Sequence, residues 1–328
     1  LQEPCAVFFG GAYKLVEPST VFSSVLTMLL LILPGFILRK INFINSDAAK
    51  ACSLIVLYCA QPCMLIDAYM REYDAGLFSD MLKVGLLSLI MYMCFILIAS
   101  FMFKKAPPSR RPILQYMMIF SNCGYMGFPV LRQIYGAQGE LAVLLGASVT
   151  LWFNLLSWPV GVRLYAKNGE SFLRSLLKPG VIATVLGLII FLTSASRIIP
   201  APAQSAVGLL SDMVTPLSMF VIGMRLAECP FKSLFSDWRL LCASGMRLLV
   251  LPALSFLIIL ALGLTGLPMS NMVMAVPFIL MAMPSGASTA MMAERYDGDS
   301  VYGSAAVSLT TLLSIITIPL TSLLLTLL

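Results

Sequence analysis

Ten residues in two short stretches carry what chemistry this sequence offers. In the first, Ser-Asn-Cys-Gly-Tyr-Met-Gly-Phe-Pro, Asn122, Gly124, Tyr125, Gly127 and Pro129 interrupt an otherwise apolar run. In the second, Met-Pro-Ser-Gly-Ala-Ser-Thr, Pro284, Ser285, Gly286, Ser288 and Thr289 do the same. Glycine costs about 1 kcal/mol and proline about 3 kcal/mol inside a helix, so a helix should break in each stretch. Where a helix restarts, free backbone N–H groups and a partial positive charge face outward, the arrangement that favours an anion. Asn122 adds an amide donor, and Tyr125, Ser285, Ser288 and Thr289 add hydroxyls that suit a carboxylate. Pro129 fits the first turn of the restarted helix, where its missing N–H costs nothing. The same small and polar residues also serve close helix packing, the alternative reading of any one of them.

The elements that hold these stretches belong to a membrane protein. Of 328 residues, 59% are hydrophobic and 11% charged, with a mean hydropathy of +0.95. Apolar runs of about 20 residues, each long enough to cross a bilayer, recur along the chain. Ten spans are expected, near 19–38, 47–70, 78–102, 112–135, 139–165, 179–197, 204–226, 238–263, 269–293 and 300–327. The two breaks then fall in spans four and nine. Backbone that leaves the helix at that depth must be buried in protein or line a watery cavity. Residues 1–14, with Glu3 and Lys14 and no cleavage pattern, are expected to be a short lead and not a signal peptide.

Positive charge gathers on alternate connections. Arg39, Lys40 and Lys50 mark the first, Lys104, Lys105, Arg110 and Arg111 the third, Arg163, Lys167, Arg174 and Lys178 the fifth, and Arg225, Lys232 and Arg239 the seventh. These should face the cytoplasm, with both termini outside and the chain multi-pass in the plasma membrane. The net charge of +6 is therefore a topology signal, with no nucleic-acid partner implied.

Repeats divide the chain. Leu-Phe-Ser-Asp occurs at 77–80 and 234–237; Pro18, Pro62, Pro159 and Tyr135-Gly136 have counterparts in Pro179, Pro216, Pro319 and Tyr296/Gly298, roughly 160 residues later. Five spans per half would invert the second half, the plan of secondary transporters. The expected domains are a first repeat over 1–165, a cytoplasmic linker over 166–178 and a second, inverted repeat over 179–328. Inversion would bring the two breaks together near the midplane.

Two charges inside spans invite a role by default. Asp212, expected midway along span seven, could couple a proton or simply pack. Arg247 in span eight could attract an anion or snorkel to the interface. Asp67 is expected at the interface, and Glu294, Arg295, Asp297 and Asp299 as a solvated face or gate.

The Asn122 break running into GFPVLRQIYG, with KPGVIATVLGLII, TPLSMFVIGMRL and MPSGASTAMMAERYDGD, resembles the auxin efflux carrier family, which includes plant auxin exporters and bacterial organic-acid permeases. The resemblance implies a fold like that of the sodium/bile-acid symporters: an all-α polytopic membrane protein of ten helices, with crossed, broken helices 4 and 9. Spans one, two, six and seven would form a scaffold, and three to five and eight to ten a transport domain. It implies a homodimer through helices 2 and 7, a substrate carboxylate at Asn122, and a second crossover at Pro284 to Ser288. Unlike the plant exporters, this chain has Pro129 several residues past Asn122 and a short central loop.

The expected function is secondary transport of a small organic anion by alternating access, without cofactor or metal. A sodium-coupled symporter would need more oxygen ligands than spans four and nine supply. A membrane ligand sensor would ordinarily add a signalling domain. An intramembrane protease is disfavoured: the chain has no histidine, and Asp297 and Asp299 share one loop. The eight cysteines form no metal-like spacing, and no nucleotide-binding P-loop is present.

Overall fold

The computed structural model describes residues 18–165, 179–228, 235, 237–266, 268–296 and 298–327. Among these residues there is no strand, and seven helical stretches are long and apolar enough to cross a membrane. Two shorter apolar helices, Pro179–Thr193 and Asn271–Ala282, accompany them. The expected linker at 166–178 lies outside the described residues, as does Asp297.

In chain order the helices are α1 (Pro18–Lys40), α2 (Ser46–Ile55), α3 (Gln61–Tyr69), α4 (Ala75–Phe101), α5 (Arg111–Ile119), α6 (Phe128–Tyr135) and α7 (Gly139–Tyr165), then α8 (Pro179–Thr193), α9 (Ala201–Asp212), α10 (Val214–Glu228), α11 (Trp238–Gly245), α12 (Leu251–Gly263), α13 (Asn271–Ala282), α14 (Ser288–Arg295) and α15 (Ser300–Ser322). Side-chain caps start several of them: Asn45 accepts from Ala48 N, Asp74 from Leu77 N, Ser270 from Val273 N and Asp299 from Tyr302 N. Gly136, at φ +51°, turns the chain from α6 into α7, a conformation open to glycine.

Three wide π-helical turns, Val56–Ala60, Cys123–Gly127 and Met246–Val250, share one cause. Each is followed by a helix whose second residue is proline: Pro62, Pro129 and Pro252. Proline lacks the N–H that would bond four residues back, and its ring clashes with that carbonyl; widening the preceding turn relieves the clash. Pro216 acts more sharply, because α9 ends at Asp212, the residue four before it, and α10 begins afresh at Val214. Asp212 therefore sits at a kink near the middle of the helical stretch Ala201–Glu228, with a largely exposed side chain (77%).

α1 is apolar on every side. It buries Val21, Val25, Met28 and Ile32 and exposes Leu26, Leu30, Leu33 and Ile37. α8 likewise exposes Ile182, Val185, Leu186, Ile189 and Leu192. A helix apolar all round is at home in protein on one face and lipid on the other.

The main packing contacts come in pairs. α1 lies along α10, and α3 along α8. α4 packs on α7 and α13, and α15 on α5 and the turn at Met246–Val250. Small residues set the closest approach: a Cβ on Gly223 would stand 2.1 Å from Ile32 O, and one on Gly35 2.1 Å from Phe220 O, so α1 and α10 meet backbone to backbone.

That contact yields a prediction. Gly223→Ala should destabilise the detergent-solubilised protein by about 1–3 kcal/mol, because backbone must move to admit the methyl group. Gly245→Ala, where a Cβ meets nothing within 4 Å, should leave the melting temperature unchanged or slightly raised. Equal effects from the two would contradict the α1–α10 contact.

Candidate functional site

Both expected breaks are present. α5 stops at Ile119, and helical structure resumes at Cys123; α13 stops at Ala282 and α14 begins at Ser288. The two non-helical stretches lie side by side as a single antiparallel bridge between Ser121 and Ser285. Asn122 N donates to Pro284 O (2.7 Å) and Gly286 N to Phe120 O (3.0 Å). Each break thus supplies the hydrogen bonds that the other loses by leaving the helix, which bilayer-depth backbone requires. Phe120, Ser121, Asn122, Pro284 and Ser285 are all buried.

Four half-helices end at this crossing, two by their C-termini and two by their N-termini. One side chain serves both C-termini. Arg247 is fully buried and donates from Nε to Met283 O (3.1 Å), from one terminal nitrogen to Met118 O (3.1 Å), and from the other to Met281 O (2.7 Å) and Met283 O (3.0 Å). These carbonyls finish α5 and α13, where a cation also meets the negative end of each helix dipole. The side chain neither snorkels nor lies open to an anion. Arg247 stands in the wide turn that Pro252 imposes, which links a proline of α12 to the crossing of the two interrupted segments. Phe95 lies against the guanidinium, 5.9 Å from its ring centroid.

The N-termini carry no such neutralising group. Asn122 is 3% exposed, and its side chain does not cap the turn it precedes. The hydroxyls of Ser121 and Ser288 are buried without a hydrogen-bond partner among the described residues, as is that of Tyr92. Ser285 and Thr289 are already engaged: their hydroxyls bond each other at 2.8 Å, and Ser285 N donates to Thr310 Oγ1 (3.2 Å). Gly127 allows close approach, since a Cβ there would stand 2.4 Å from Leu280 of α13. Gly286 does the same against Ser121 O (3.1 Å). Pro129 occupies the first turn of α6, as its type predicts.

Gly124 and Tyr125 face α3 and α10. A Cβ on Gly124 would meet Gln61 Nε2 at 2.2 Å. The Tyr125 carbonyl accepts from Ser218 Oγ (2.9 Å), and its hydroxyl donates to Ser53 O (3.5 Å). Ser121, Gln61 and Ser218 are site residues that the sequence reading passes over. The available signal for Gln61 is an amide beside a proline within an apolar span.

Asp212 is not at the crossing. It pairs with Arg132 (3.6 Å), in the last turn of α6. At the other end of the interrupted segment, Arg110 joins Asp299 (3.1 Å) and Asp237 (3.4 Å) and stacks on Tyr302. Asp299 therefore forms part of an ion-pair cluster at a helix start, and Arg295 lies over the Trp158 ring at 4.5 Å. Outside the spans, Arg197 holds the Glu72 carboxyl below the usual carboxylate range through a bidentate pair. Among the described residues no group of three or more histidine, cysteine or acidic side chains is arranged to hold a metal.

A family model described as membrane transport protein matches residues 20–172 and 162–322. The chain belongs to this family, that of the auxin efflux carriers. Similar proteins of the membrane transport family include an uncharacterized transporter of Methanothermobacter thermautotrophicus, 26% identical over 91% of this chain and 96% of the relative. Another, of Methanocaldococcus jannaschii, is 24% identical over 90% of this chain and 96% of its own. A third, of Escherichia coli K12, is 23% identical over 90% of this chain and 94% of its own.

Removing the shared cap should be costly. Arg247→Met keeps much of the side-chain volume but leaves buried carbonyls bare at about 1–3 kcal/mol each. A fall in thermal stability of at least about 3 kcal/mol, with Arg247→Lys intermediate, is expected. Unchanged melting of the Met variant would contradict the capping role.

Proposed function

We propose that this member of the membrane transport protein family is a secondary transporter of a small organic anion, a carboxylate in the class of auxin or malate, working by alternating access. The observation that carries the proposal is the buried Ser121–Ser285 crossing with its unequal treatment of helix ends. Arg247 neutralises the negative ends of α5 and α13, while the positive ends at Cys123 and Ser288 have no acidic neighbour in their first turns. The net field at the crossing is positive, which favours an anion and opposes sodium. Asn122, Ser121 and Ser288 then offer hydrogen bonds to a carboxylate, with Gly124, Tyr125 and Gln61 at its edge.

In this reading the chain has ten spans in two inverted halves. The paired contacts support it: α1 on α10 matches α8 on α3, and α4 on α13 matches α11 on α5. The hydrogen bonds from Asn122 to Pro284 and from Gly286 to Phe120 likewise exchange under one offset. α1–α3 and α8–α10 form the scaffold, and α4–α7 and α11–α15 the transport domain. The protein acts as a homodimer through spans two and seven (α2–α3 and α9–α10), in the plasma membrane, with both termini outside. It is a carrier and no enzyme: substrate enters when the transport domain shifts against the scaffold, because the crossing is buried on all sides in this conformation.

Thermal-shift screening of purified protein against mono- and dicarboxylates tests this. A carboxylate at about 100 times its dissociation constant should stabilise the protein by about 2.7 kcal/mol. Asn122→Ala should melt normally without ligand and lose that shift. A folded Asn122→Ala protein with undiminished carboxylate binding would remove the crossing from the site.

A further inference from the structure

Arg132 is the centre of the densest charge network among the described residues. From the last turn of α6 it reaches Glu140 Oε1 (2.9 Å), Asp212 Oδ1 (3.6 Å), Asp67 Oδ2 (3.8 Å) and the Ser211 hydroxyl (2.7 Å). These partners lie on different parts of the molecule. Glu140 opens α7, directly after α6, and moves with Arg132. Asp67 belongs to α3, and Ser211 and Asp212 end α9. Among the described residues the Arg110 cluster, at the opposite end of the same interrupted segment, contains none from α1–α3 or α8–α10; its partners Asp237, Asp299 and Tyr302 start α11 and α15. One cluster therefore binds the proposed transport domain to itself, and the other binds it to the proposed scaffold.

The three carboxylates around Arg132 are not equivalent. Their side-chain exposures are 26% for Asp67, 46% for Glu140 and 77% for Asp212. Asp212 is the most exposed of the three, and Glu140 keeps Arg132. Asp67 is enclosed, with Gly208 of α9 against it (a Cβ there would lie 4.0 Å from Oδ1) and Cys63 one turn back on α3. The charged groups facing it are Arg132, Glu140, Asp212 and Arg71, whose Nε is held by Ala68 O (3.1 Å). Once Arg132 departs with α6, taking Glu140 with it, Asp67 keeps Asp212 and Arg71 beside it and loses the guanidinium that lies across the interface. A half-enclosed carboxylate in that position takes a proton in place of its lost cation.

We propose that Asp67 is a proton site of this carrier, alternately occupied by Arg132 and by a proton. Docking of Arg132 expels the proton, and protonation of Asp67 releases Arg132 and lets α6 and α7 part from α3 and α9. Each passage through the cycle would thus exchange one proton at this end of the bundle. The inference rests on the division into scaffold and transport domain given above.

The test uses full-length protein in lipid nanodiscs, its eight native cysteines replaced by alanine or serine. Spin labels go on Gln138→Cys, beyond α6, and Ser205→Cys on α9, both exposed positions, and distances are read by double electron–electron resonance without substrate. Lowering the pH from about 8 to about 4, into the carboxylate range, should add a longer distance population. Asp67→Asn should show that population as the majority at both pH values, Arg132→Ala likewise, and Arg132→Lys should restore the pH response in part. Glu140→Gln should keep the response. A pH response that survives in Asp67→Asn, or an Asp67→Asn distribution identical to the parent, overturns the proton site. If Arg132→Ala also leaves every distance unchanged, the two bodies do not part, and the division into scaffold and transport domain fails with it.

Discussion

A bilayer offers no water to a broken helix, and this molecule is organised around that constraint. Two helices stop halfway and expose carbonyls that need donors. The Arg247 guanidinium supplies donors to both stops at once, to Met118 on one side and to Met281 and Met283 on the other. A charge buried among apolar side chains is ordinarily a liability, offset only by well-placed partners. Here the partners are the negative ends of two helices, so the cation and the two breaks each remove the other's cost. The antiparallel bridge between Ser121 and Ser285 completes the arrangement by pairing the extended backbones.

This joint has an electrical consequence. Helix ends normally come in opposite pairs whose fields partly cancel. At the crossing one pair is neutralised by Arg247 and the other is not, an asymmetry that in the proposed reading favours a negative ligand. The surrounding hydroxyls follow the same division. The Ser285 and Thr289 hydroxyls are occupied with each other, whereas those of Ser121 and Ser288 have unmet hydrogen-bonding capacity among the described residues. Membership in the membrane transport protein family fits a protein that holds such a centre between two groups of helices. The family match supplies the activity class, and the polarity of the crossing supplies the proposed sign of the cargo.

Much of this was legible in the sequence, for a physical reason. Glycine, proline and asparagine inside apolar runs are costly enough that their positions mark the breaks to within a few residues, and α6 and α14 restart where Pro129 and the Gly286-Ala287-Ser288 stretch suggest. What satisfies a break was not legible. An arginine in an apolar run reads as snorkelling, and the carbonyls that Arg247 caps lie 34 to 36 and 129 residues away. Arg132 lies near the end of an expected span, and its partners come from three other helices. The Leu-Phe-Ser-Asp repeat also misleads in detail: Asp80 lies within α4 and pairs with Lys83, whereas Asp237 caps the start of α11. A tetrapeptide can recur while the helix boundary moves beneath it.

The most direct test of the central claim is a covalent one. Ser121 and Ser285 form the non-hydrogen-bonded pair of the bridge, where Cα atoms stand about 4.5 Å apart and side chains approach closely. In a background free of native cysteines, Ser121→Cys with Ser285→Cys should close a disulfide under mild oxidation, detected by mass spectrometry as a cross-link between the two peptides. Efficient cross-linking is the result expected if the interrupted helices cross here; two thiols that remain free in folded protein would show that they do not.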